Sequence, residues 1–400
     1  MKYALLKCSL AAGVLVTAVV PSSAQSPSIN QQRATALQLQ ENGQIAEAEA
    51  AWHAVLRVHP NDAEAYGYLG LLEARQEHYD AAVPFYKKAL SLNPAMPGVR
   101  LNLGLSFFKL GTMKAAIDTL SPLMKAADPS SAEAIRLDIL MGMAHFGLGE
   151  YAAAVPYLRK VTAADPRDLH YRLLLGQSCM WSEQYQCVLD VYHQIMDLNA
   201  ESAEADMLAG GALDQMQNHQ GALDQFRAAV KADPKAPKAH FFLGYMLWTD
   251  NEFEEAAQEF QAELANFPDS EQALAYLADA YIHLGKQDEA LPLAEKAIQI
   301  DPTIAKAHVD LGILYADRGR QDDAVKEFKT AIKLTPKDQD PHWRLARLYQ
   351  AMGKHEEAKA EFEKTKTLHT AEQESIFSKL KAAQDRGAPA TPQGSSSNEK

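Results

Sequence analysis

The chain has 400 residues, 47% of them hydrophobic, and a formal net charge of −13. This apolar content is enough to bury a large core, whereas the acidic balance repels phosphate backbones and anionic lipid surfaces. The composition therefore argues against a nucleic-acid-binding protein and indicates a folded protein with partners of another kind.

Residues 1–24 are typical of a secretory signal peptide. Lys2 and Lys7 supply positive charge, an apolar run follows from Leu10 to Val20, and Pro21–Ala24 is a small-residue cleavage site. The alternative is an uncleaved anchor, but the apolar run has about half of the ~20 residues that a membrane-spanning helix needs. We therefore expect an exported protein, periplasmic or extracellular, with no stable membrane insertion after cleavage.

A unit of 34 residues then recurs along the chain. Written from Ala305 to Asp338, the unit reads as a helix, a glycine-centred turn, a second helix and a proline-containing turn. The proline slot marks ten units, at Pro60, Pro94, Pro129, Pro166, Ala200, Pro234, Pro268, Pro302, Pro336 and Thr370. Extra residues between Asp128 and Leu137 predict a longer first helix or linker in the fourth unit. A fixed period of this size marks a solenoid.

The positions that characterise one unit are Leu311, Gly312, Tyr315, Ala324, Phe328, Ala331 and Pro336. At this spacing the unit closely resembles the tetratricopeptide repeat. The resemblance implies an all-α, right-handed α-solenoid of about ten helix-turn-helix units over residues 25–370. It also implies a scaffold that binds a protein or peptide partner, because repeat arrays of this kind present extended binding surfaces.

The end of the chain departs from the repeat. Residues 371–386 predict one further amphipathic helix, with Ile376, Phe377 and Leu380 on its apolar side, which we expect to cap the array. Residues 387–400 are rich in Pro, Gly and Ser and predict a disordered tail.

In the family that this chain resembles, the first helices of successive repeats line a concave groove. Carried across by offset, the apolar groove positions are Leu101, Leu105, Phe108, Ile139, Met143, Phe146, Leu173, Met180, Trp181, Met207, Phe241, Tyr245 and Trp248. The later repeats turn polar or charged on this face, with Asp279, His283, Lys306 and Asp310, and then Trp343, Arg344 and Arg347. An exposed apolar strip rimmed by charge marks a partner site. The alternative is that individual residues of the strip pack between adjacent repeats.

Two cysteines lie in the fifth repeat. Cys179 and Cys187 stand on its two helices, on either side of a turn at Glu183. In an oxidising compartment they are candidates for a disulfide, and the alternative is two free buried thiols. No His stands nearby at a ligand spacing, so we expect no metal ion and no cofactor.

No catalytic residue is indicated. The sequence has no HExxH, GxSxG or GxxxxGK[ST] motif, and His240, His308 and His342 share one repeat position, which favours packing. We expect a non-catalytic scaffold whose setting is envelope or exopolysaccharide assembly, as among exported proteins that it resembles. The alternatives are an accessory subunit of a glycosyltransferase or secretion complex, and a self-associating homo-oligomeric module.

Overall fold

The structure, a computed structural model, describes residues 28–128, 131–198 and 201–387. The predicted signal peptide, two of the proline slots (Pro129 and Ala200) and residues 388–400 of the predicted tail lie outside this described part. The bounds of the helices are α1 (Ile29–Glu41), α2 (Ile45–Val58), α3 (Ala63–Arg75), α4 (Tyr79–Leu92), α5 (Pro97–Lys109), α6 (Met113–Ala126), α7 (Ala132–Gly147), α8 (Tyr151–Ala164), α9 (Leu169–Trp181), α10 (Tyr185–Met196), α11 (Ala203–Gln215), α12 (His219–Ala232), α13 (Ala239–Thr249), α14 (Phe253–Asn266), α15 (Glu271–His283), α16 (Gln287–Ile300), α17 (Ala305–Asp317), α18 (Gln321–Leu334), α19 (Gln339–Ala351) and α20 (His355–Gly387).

Every predicted repeat is one pair of consecutive helices, from α1 and α2 to α19 and α20. The described residues contain helices and turns but no strand, so the all-α prediction is confirmed. In the fourth repeat, α7 has 16 residues, whereas α5 and α9 have 13 each. The extra length of this repeat therefore lies at least in part in its first helix.

The proline slots explain where the first helices begin. In α3, α9, α15 and α17 the helix starts three residues after the proline, as Ala63 follows Pro60. Side chains just before the helix satisfy its free amide groups: Asp62 accepts a hydrogen bond from the amide of Ala65, and Asp168 accepts one from Tyr171. Such caps fix the start of a helix because its first amides have no partner within the helix.

A residue with left-handed backbone joins the two helices of each repeat. It is Gly43, Glu77, Gly111, Gly149, Glu183, Gln217, Asn251, Gly285, Gly319 or Gly353, with φ between 60° and 75°. The predicted glycine-centred turn therefore holds in six repeats, and an L-residue takes its place in the other four. An L-residue is strained in this conformation by about 1–2 kcal/mol, because its Cβ meets the following carbonyl.

Close approach between the paired helices depends on a glycine in the first. A Cβ built on Gly312 would overlap the ring of Phe328, which leaves no room for any side chain. The same contact recurs between Gly70 and Tyr86, Gly104 and Leu120, Gly210 and Phe226, and Gly244 and Phe260. In each of these pairs a bulky side chain of the second helix lies against the glycine. Burial of that side chain offsets the ~1 kcal/mol that glycine costs a helix.

Three repeats add the same polar contact between their helices. His240 Nδ1 lies 2.6 Å from Glu259 Oε2, and the pairs His308–Glu327 and His342–Glu361 have the same separation. The Nε2 atom of His308 faces the Pro302 carbonyl at 3.0 Å. The shared position of these histidines therefore has a packing role: each side chain ties a first helix to its second helix, and those of His240 and His308 also contact the proline turn.

The chain divides into two compact units, one up to Tyr157 and one from Leu158 onward. In the first unit, Trp52 is fully buried and stacks on Tyr68 with ring centroids 4.7 Å apart. In the second unit, a cluster of buried residues includes Phe226, Phe241 and Phe260. Each unit thus has apolar clusters of its own, which pack the helices of neighbouring repeats together.

The predicted capping segment, residues 371–386, is helical and continues α20 without a break. Ile376, Phe377 and Leu380, its predicted apolar side, are among the side chains that lie outside the described residues. Across the described residues, no helix combines the length and the apolar character that crossing a membrane requires.

Candidate functional site

An apolar cavity of about 590 Å³ lies within the second unit, along α9, α11 and α13, the first helices of the fifth, sixth and seventh repeats. Four predicted groove residues line it: Met180, Trp181, Met207 and Tyr245. The remaining lining residues are Glu204, Leu208, Gly211, Asp214, Gln215, Phe226, Ala236, Pro237, Phe242 and Met246. A cavity of this size, mostly apolar with a few polar groups, has the character of a ligand-binding site.

Gly211 on α11 opens the cavity. It occupies the repeat position of Gln177 in the fifth repeat and of Tyr245 in the seventh, so a layer without a side chain lies between two layers with large ones. The thioether of Met180 lies over the gap, since its Cε would be 3.1 Å from a Cβ at this position. The hollow therefore arises because one repeat lacks a side chain at this position, and the flexible side chain of Met180 lies at its edge.

The aromatic wall of the cavity depends on Gly210, the residue before Gly211. Gly210 lets the ring of Phe226 pack against α11, because a Cβ there would lie 2.8 Å from that ring. Phe226 in turn stacks on Phe242 of α13, with ring centroids 5.5 Å apart and planes 15° from parallel. The two adjacent glycines thus have different roles: Gly210 lets the Phe226 ring pack against α11, and Gly211 leaves the space of the cavity beside that ring.

The start of α13 shapes the rim that Ala236 and Pro237 form. By the 34-residue period α13 should begin at residue 237, but it begins at Ala239, after Lys238 in a left-handed conformation. Glu263 of α14 caps this helix, since its carboxylate oxygens accept hydrogen bonds from the amides of Lys238 (3.0 Å) and Phe241 (3.3 Å). Glu263 is only 2% exposed, and burial raises the pKa of its carboxyl, while the two amide hydrogen bonds oppose that shift.

Sequence reasoning missed Glu263, although the sequence holds a signal. The neighbouring repeats have Ala229 and Ala297 at this position. An acidic side chain in the slot of a buried alanine needs a nearby donor, because a buried charge without hydrogen bonds is costly. Here the donors are the amides at the start of α13. Glu263, which departs from the repeat pattern, therefore positions the helix that forms one wall of the cavity.

An aromatic and ionic cluster beside the cavity fixes the position of Tyr245. The ring of Tyr245 stacks on Trp248 (6.2 Å between centroids) and meets Tyr276 edge-on (5.4 Å). Trp248 Nε1 donates to Asp279 Oδ2 at 2.6 Å, and the Lys306 ammonium lies 2.7 Å from Asp279 Oδ1 and 4.9 Å from the Trp248 ring centroid. The predicted groove residue Trp248 therefore supports the wall and does not line the cavity.

The charges of this cluster nearly compensate one another. Burial opposes the charge of Asp279, but the Lys306 ammonium and the hydrogen bonds hold the pKa of that carboxyl below its usual value. Asp310 is 1% exposed, and neither of its carboxylate oxygens has a hydrogen-bond partner in the described part of the chain. Burial raises its pKa well above the usual value, although Lys306 counteracts that effect.

The other predicted groove residues of the second unit lie elsewhere. Leu173 is half-buried and does not line the cavity. Phe241 is only 7% exposed and belongs to the core, so its assignment to the groove surface is corrected; its neighbour Phe242 lines the cavity instead.

The predicted residues of the tenth repeat form a separate exposed group. The Arg347 guanidinium lies 4.9 Å from the ring centroid of Trp343, which is 40% exposed. Arg344 Nε donates to Asp340 Oδ2 at 2.7 Å. Trp343 and Arg347 thus form a cation–π pair at the surface.

In the first unit, all six predicted groove residues are half-buried. Leu101, Leu105 and Phe108 pack against the core cluster that contains Leu137, and Phe146 meets Tyr151 edge-on at 5.3 Å. Leu101, Leu105, Phe108 and Phe146 therefore pack against neighbouring side chains and leave part of their surface exposed.

The two cysteines are joined by a disulfide, with their Cα atoms 5.9 Å apart. The bond links α9 to α10 across the turn at Glu183, and Cys179 directly precedes the cavity residues Met180 and Trp181. It therefore fixes the end of α9 that forms one wall of the cavity.

Few polar side chains line the cavity. Its lining has two carboxylates and one amide, from Glu204, Asp214 and Gln215, but no His, Cys, Ser or Lys. Across the described residues, no group of three or more His, Cys, Asp or Glu side chains is arranged to hold a metal ion.

A family model described as a tetratricopeptide repeat matches more than half of the chain, at residues 33–97, 139–180, 190–237, 207–271 and 247–303. The chain belongs to the tetratricopeptide repeat family. Further models of tetratricopeptide repeats match residues 73–137, 293–326, 312–353 and 340–367. The repeats support a role as a protein–protein interaction scaffold.

Individual proteins resemble these tetratricopeptide repeats more distantly. The peroxisomal targeting signal receptor of Yarrowia lipolytica is 28% identical over 98 residues, which are 24% of this chain and 16% of that protein. The chain thus spans about a sixth of the length of this curated relative. The chain is also similar to the solved APC/C hetero-tetramer Cut9–Hcn1, with 12% identity over 86% of this chain and 87% of that chain, at a TM-score of 0.44. A thermophilic tetratricopeptide repeat protein of Thermus thermophilus is 23% identical over 44% of this chain and its own full length, at a TM-score of 0.37.

Proposed function

We propose that this protein is a non-catalytic scaffold that binds a peptide segment of a protein partner, and that one large apolar side chain of the segment enters the cavity at Gly211. The observation that carries the proposal is the cavity itself, about 590 Å³ in volume and lined by Met, Phe, Trp and Tyr side chains. Methionine and aromatic residues suit an adaptable peptide groove.

The walls of the cavity are fixed by contacts that do not involve a ligand. The Cys179–Cys187 disulfide fixes the end of α9, Glu263 caps α13, and Asp279 holds the Trp248 ring that supports Tyr245. A site that is rigid before binding loses less conformational entropy when the ligand enters. This favours a preformed binding cavity.

We place this binding outside the cytoplasm, in the assembly of envelope or exopolysaccharide machinery. Residues 1–24 have the composition of a signal peptide. A disulfide such as Cys179–Cys187 also persists in oxidising compartments, whereas cytosolic thiols are kept reduced. Export of the chain is tested by fractionation of cells and N-terminal sequencing of the mature protein.

Peptide binding is tested with a substitution whose side chain fills the cavity. A phage-displayed library of random peptides is panned on the chain without residues 1–24, and recovered peptides are titrated against the Gly211→Leu variant. We expect that variant to lose at least tenfold in affinity, because its side chain occupies the hollow. Helical circular dichroism and the thermal midpoint report that the variant is folded.

Gly98→Leu is the matched control. Gly98 is a helical glycine of the first unit with nothing within 4 Å of the position of a Cβ, so its substitution adds the same atoms in open space. The control should bind every peptide as the unmodified protein does. Peptides that bind the unmodified protein, the control and a folded Gly211→Leu variant equally would contradict the proposed site.

A further inference from the structure

The charged side chains that line the cavity are all acidic. Glu204 and Asp214 are its only charged lining residues, and no Lys or Arg side chain lines it. Carboxylates beside an apolar hollow repel anions, which disfavours a fatty acid or an anionic lipid and favours a cationic group. A bound segment can satisfy both features if a basic side chain neighbours its apolar one.

The two carboxylates differ in what already neutralises them. Glu204 lies in the first turn of α11, where the helix dipole favours an anion, and it accepts a hydrogen bond from Gln177 Nε2 at 2.5 Å. It therefore has compensation within the protein.

Asp214 lacks that compensation. It is half-buried in the last turn of α11, where the helix dipole disfavours a negative charge. Its carboxylate has no hydrogen-bond or ion-pair partner in the part of the chain that the structure describes. Of the two carboxylates, Asp214 is thus the one that gains most from an incoming cation.

We infer that the peptide bound by the cavity carries a Lys or Arg side chain next to its apolar anchor, and that Asp214 receives it. This inference rests on the proposed function. Trp181 lies at the same rim and is 67% exposed. Together the cavity and Asp214 select cationic amphipathic segments among the exposed segments of a partner.

The experiment uses the peptides recovered from the phage-displayed library. We expect them to share a large apolar residue within a few positions of Lys or Arg. One such peptide and its Lys→Gln or Arg→Gln version are then titrated against the unmodified chain and against Asp214→Asn. The variant should bind the basic peptide about fivefold more weakly, bind the neutral peptide unchanged, and abolish the preference between them.

Asp224→Asn is the matched control, because it removes the same charge from an exposed position on α12 that does not line the cavity. It should leave the affinity for both peptides unchanged. Raising the salt concentration should weaken only the pairing of the basic peptide with an intact Asp214, because salt screens exposed charges.

The outcomes separate the two proposals. Selected peptides that have an apolar anchor and depend on Gly211 but have no basic residue, or that bind Asp214→Asn as tightly as the unmodified protein, would overturn the role of Asp214 and leave the proposed function standing. Failure of Gly211→Leu to weaken any peptide would overturn both. Binding of oleate by the cavity without any peptide binding would assign it to lipids and would also overturn both.

Discussion

Repeats five to seven and repeats eight to ten have the same architecture but opposite surfaces on their first helices. In repeats five to seven, Gly211 leaves an apolar hollow between the layers on either side. In repeats eight and nine the corresponding face is filled, because Lys306 lies between Asp279 and the rings of Trp248 and Tyr276. The comparison shows that one repeat scaffold supports either a binding hollow or a compact polar cluster, according to a few side chains.

The two regions also differ in the residue type at the left-handed position of their turns. The left-handed residue is Glu183, Gln217 or Asn251 in repeats five to seven, but Gly285, Gly319 or Gly353 in repeats eight to ten. The first region therefore has strained turns beside its cavity, whereas the second has unstrained turns beside its ion pairs. Binding sites are often drawn from the less stable parts of a protein, which is consistent with this division.

The largest effect is expected from removing the cation of the filled region. The Lys306→Met variant would leave the carboxylate of Asp279 buried without its counter-ion. We expect the free energy of unfolding to fall by about 3 kcal/mol at neutral pH, measured by urea denaturation. Lys296→Met is the control: this lysine pairs with the exposed Asp269, so its loss should cost less than about 1 kcal/mol. An equal loss in both variants would contradict a buried role for Lys306.

A pH titration tests the filled region at a single carboxyl. Because the pKa of Asp310 is raised well above 3.8, the folded chain keeps a proton that the unfolded chain has lost. Above about pH 4 and up to the raised pKa, the free energy of unfolding therefore falls as pH rises, by up to about 1.4 kcal/mol per pH unit. The groups that face Asp310 and share this titration are Lys306, Asp279 and Arg344.

The Asp310→Asn variant has no such proton to lose. Its stability should match that of the unmodified protein near pH 4 and exceed it increasingly up to the raised pKa of Asp310, as measured by urea denaturation at several pH values. Asp322→Asn, an exposed position on α18, controls for the change in net charge. Parallel stability curves for the unmodified protein and Asp310→Asn would show that Asp310 is ionised in both states.

The smallest effects concern the turns. Gln217→Gly should relieve left-handed strain and stabilise the sixth repeat by about 0.5–1 kcal/mol, whereas Gly285→Ala should introduce such strain and destabilise the eighth by about 1 kcal/mol. Thermal midpoints of the two variants measure both effects. Shifts of the same sign would contradict the proposed difference between the turns of the two regions.

The period of 34 residues was enough to predict the ten helical pairs. Local rules explain this success, because proline slots, capping side chains such as Asp168 and the contact of Gly312 with Phe328 recur within each unit. The fold is thus the sum of many short-range preferences that all agree.

The candidate site was only partly predictable, because it depends on exceptions to the period. Offsets placed Met180, Met207 and Tyr245 on the face where the cavity lies, but they cannot show a hollow that arises from an absent side chain at Gly211. They also placed Phe241 at the surface. Since α13 is apolar on nearly every side, its sequence does not distinguish the face of Phe241 from that of Phe242.

The disulfide between Cys179 and Cys187 closes a ring within a single hairpin, and both residues are buried. A reducing agent reaches such a bond less readily while the hairpin is closed, because thiol–disulfide exchange needs direct access of a thiolate to a sulfur atom. The oxidation state of these two cysteines in the folded protein therefore reflects the redox conditions of the compartment in which it folded. Alkylation of the purified native chain followed by mass measurement would show whether Cys179 and Cys187 are oxidised.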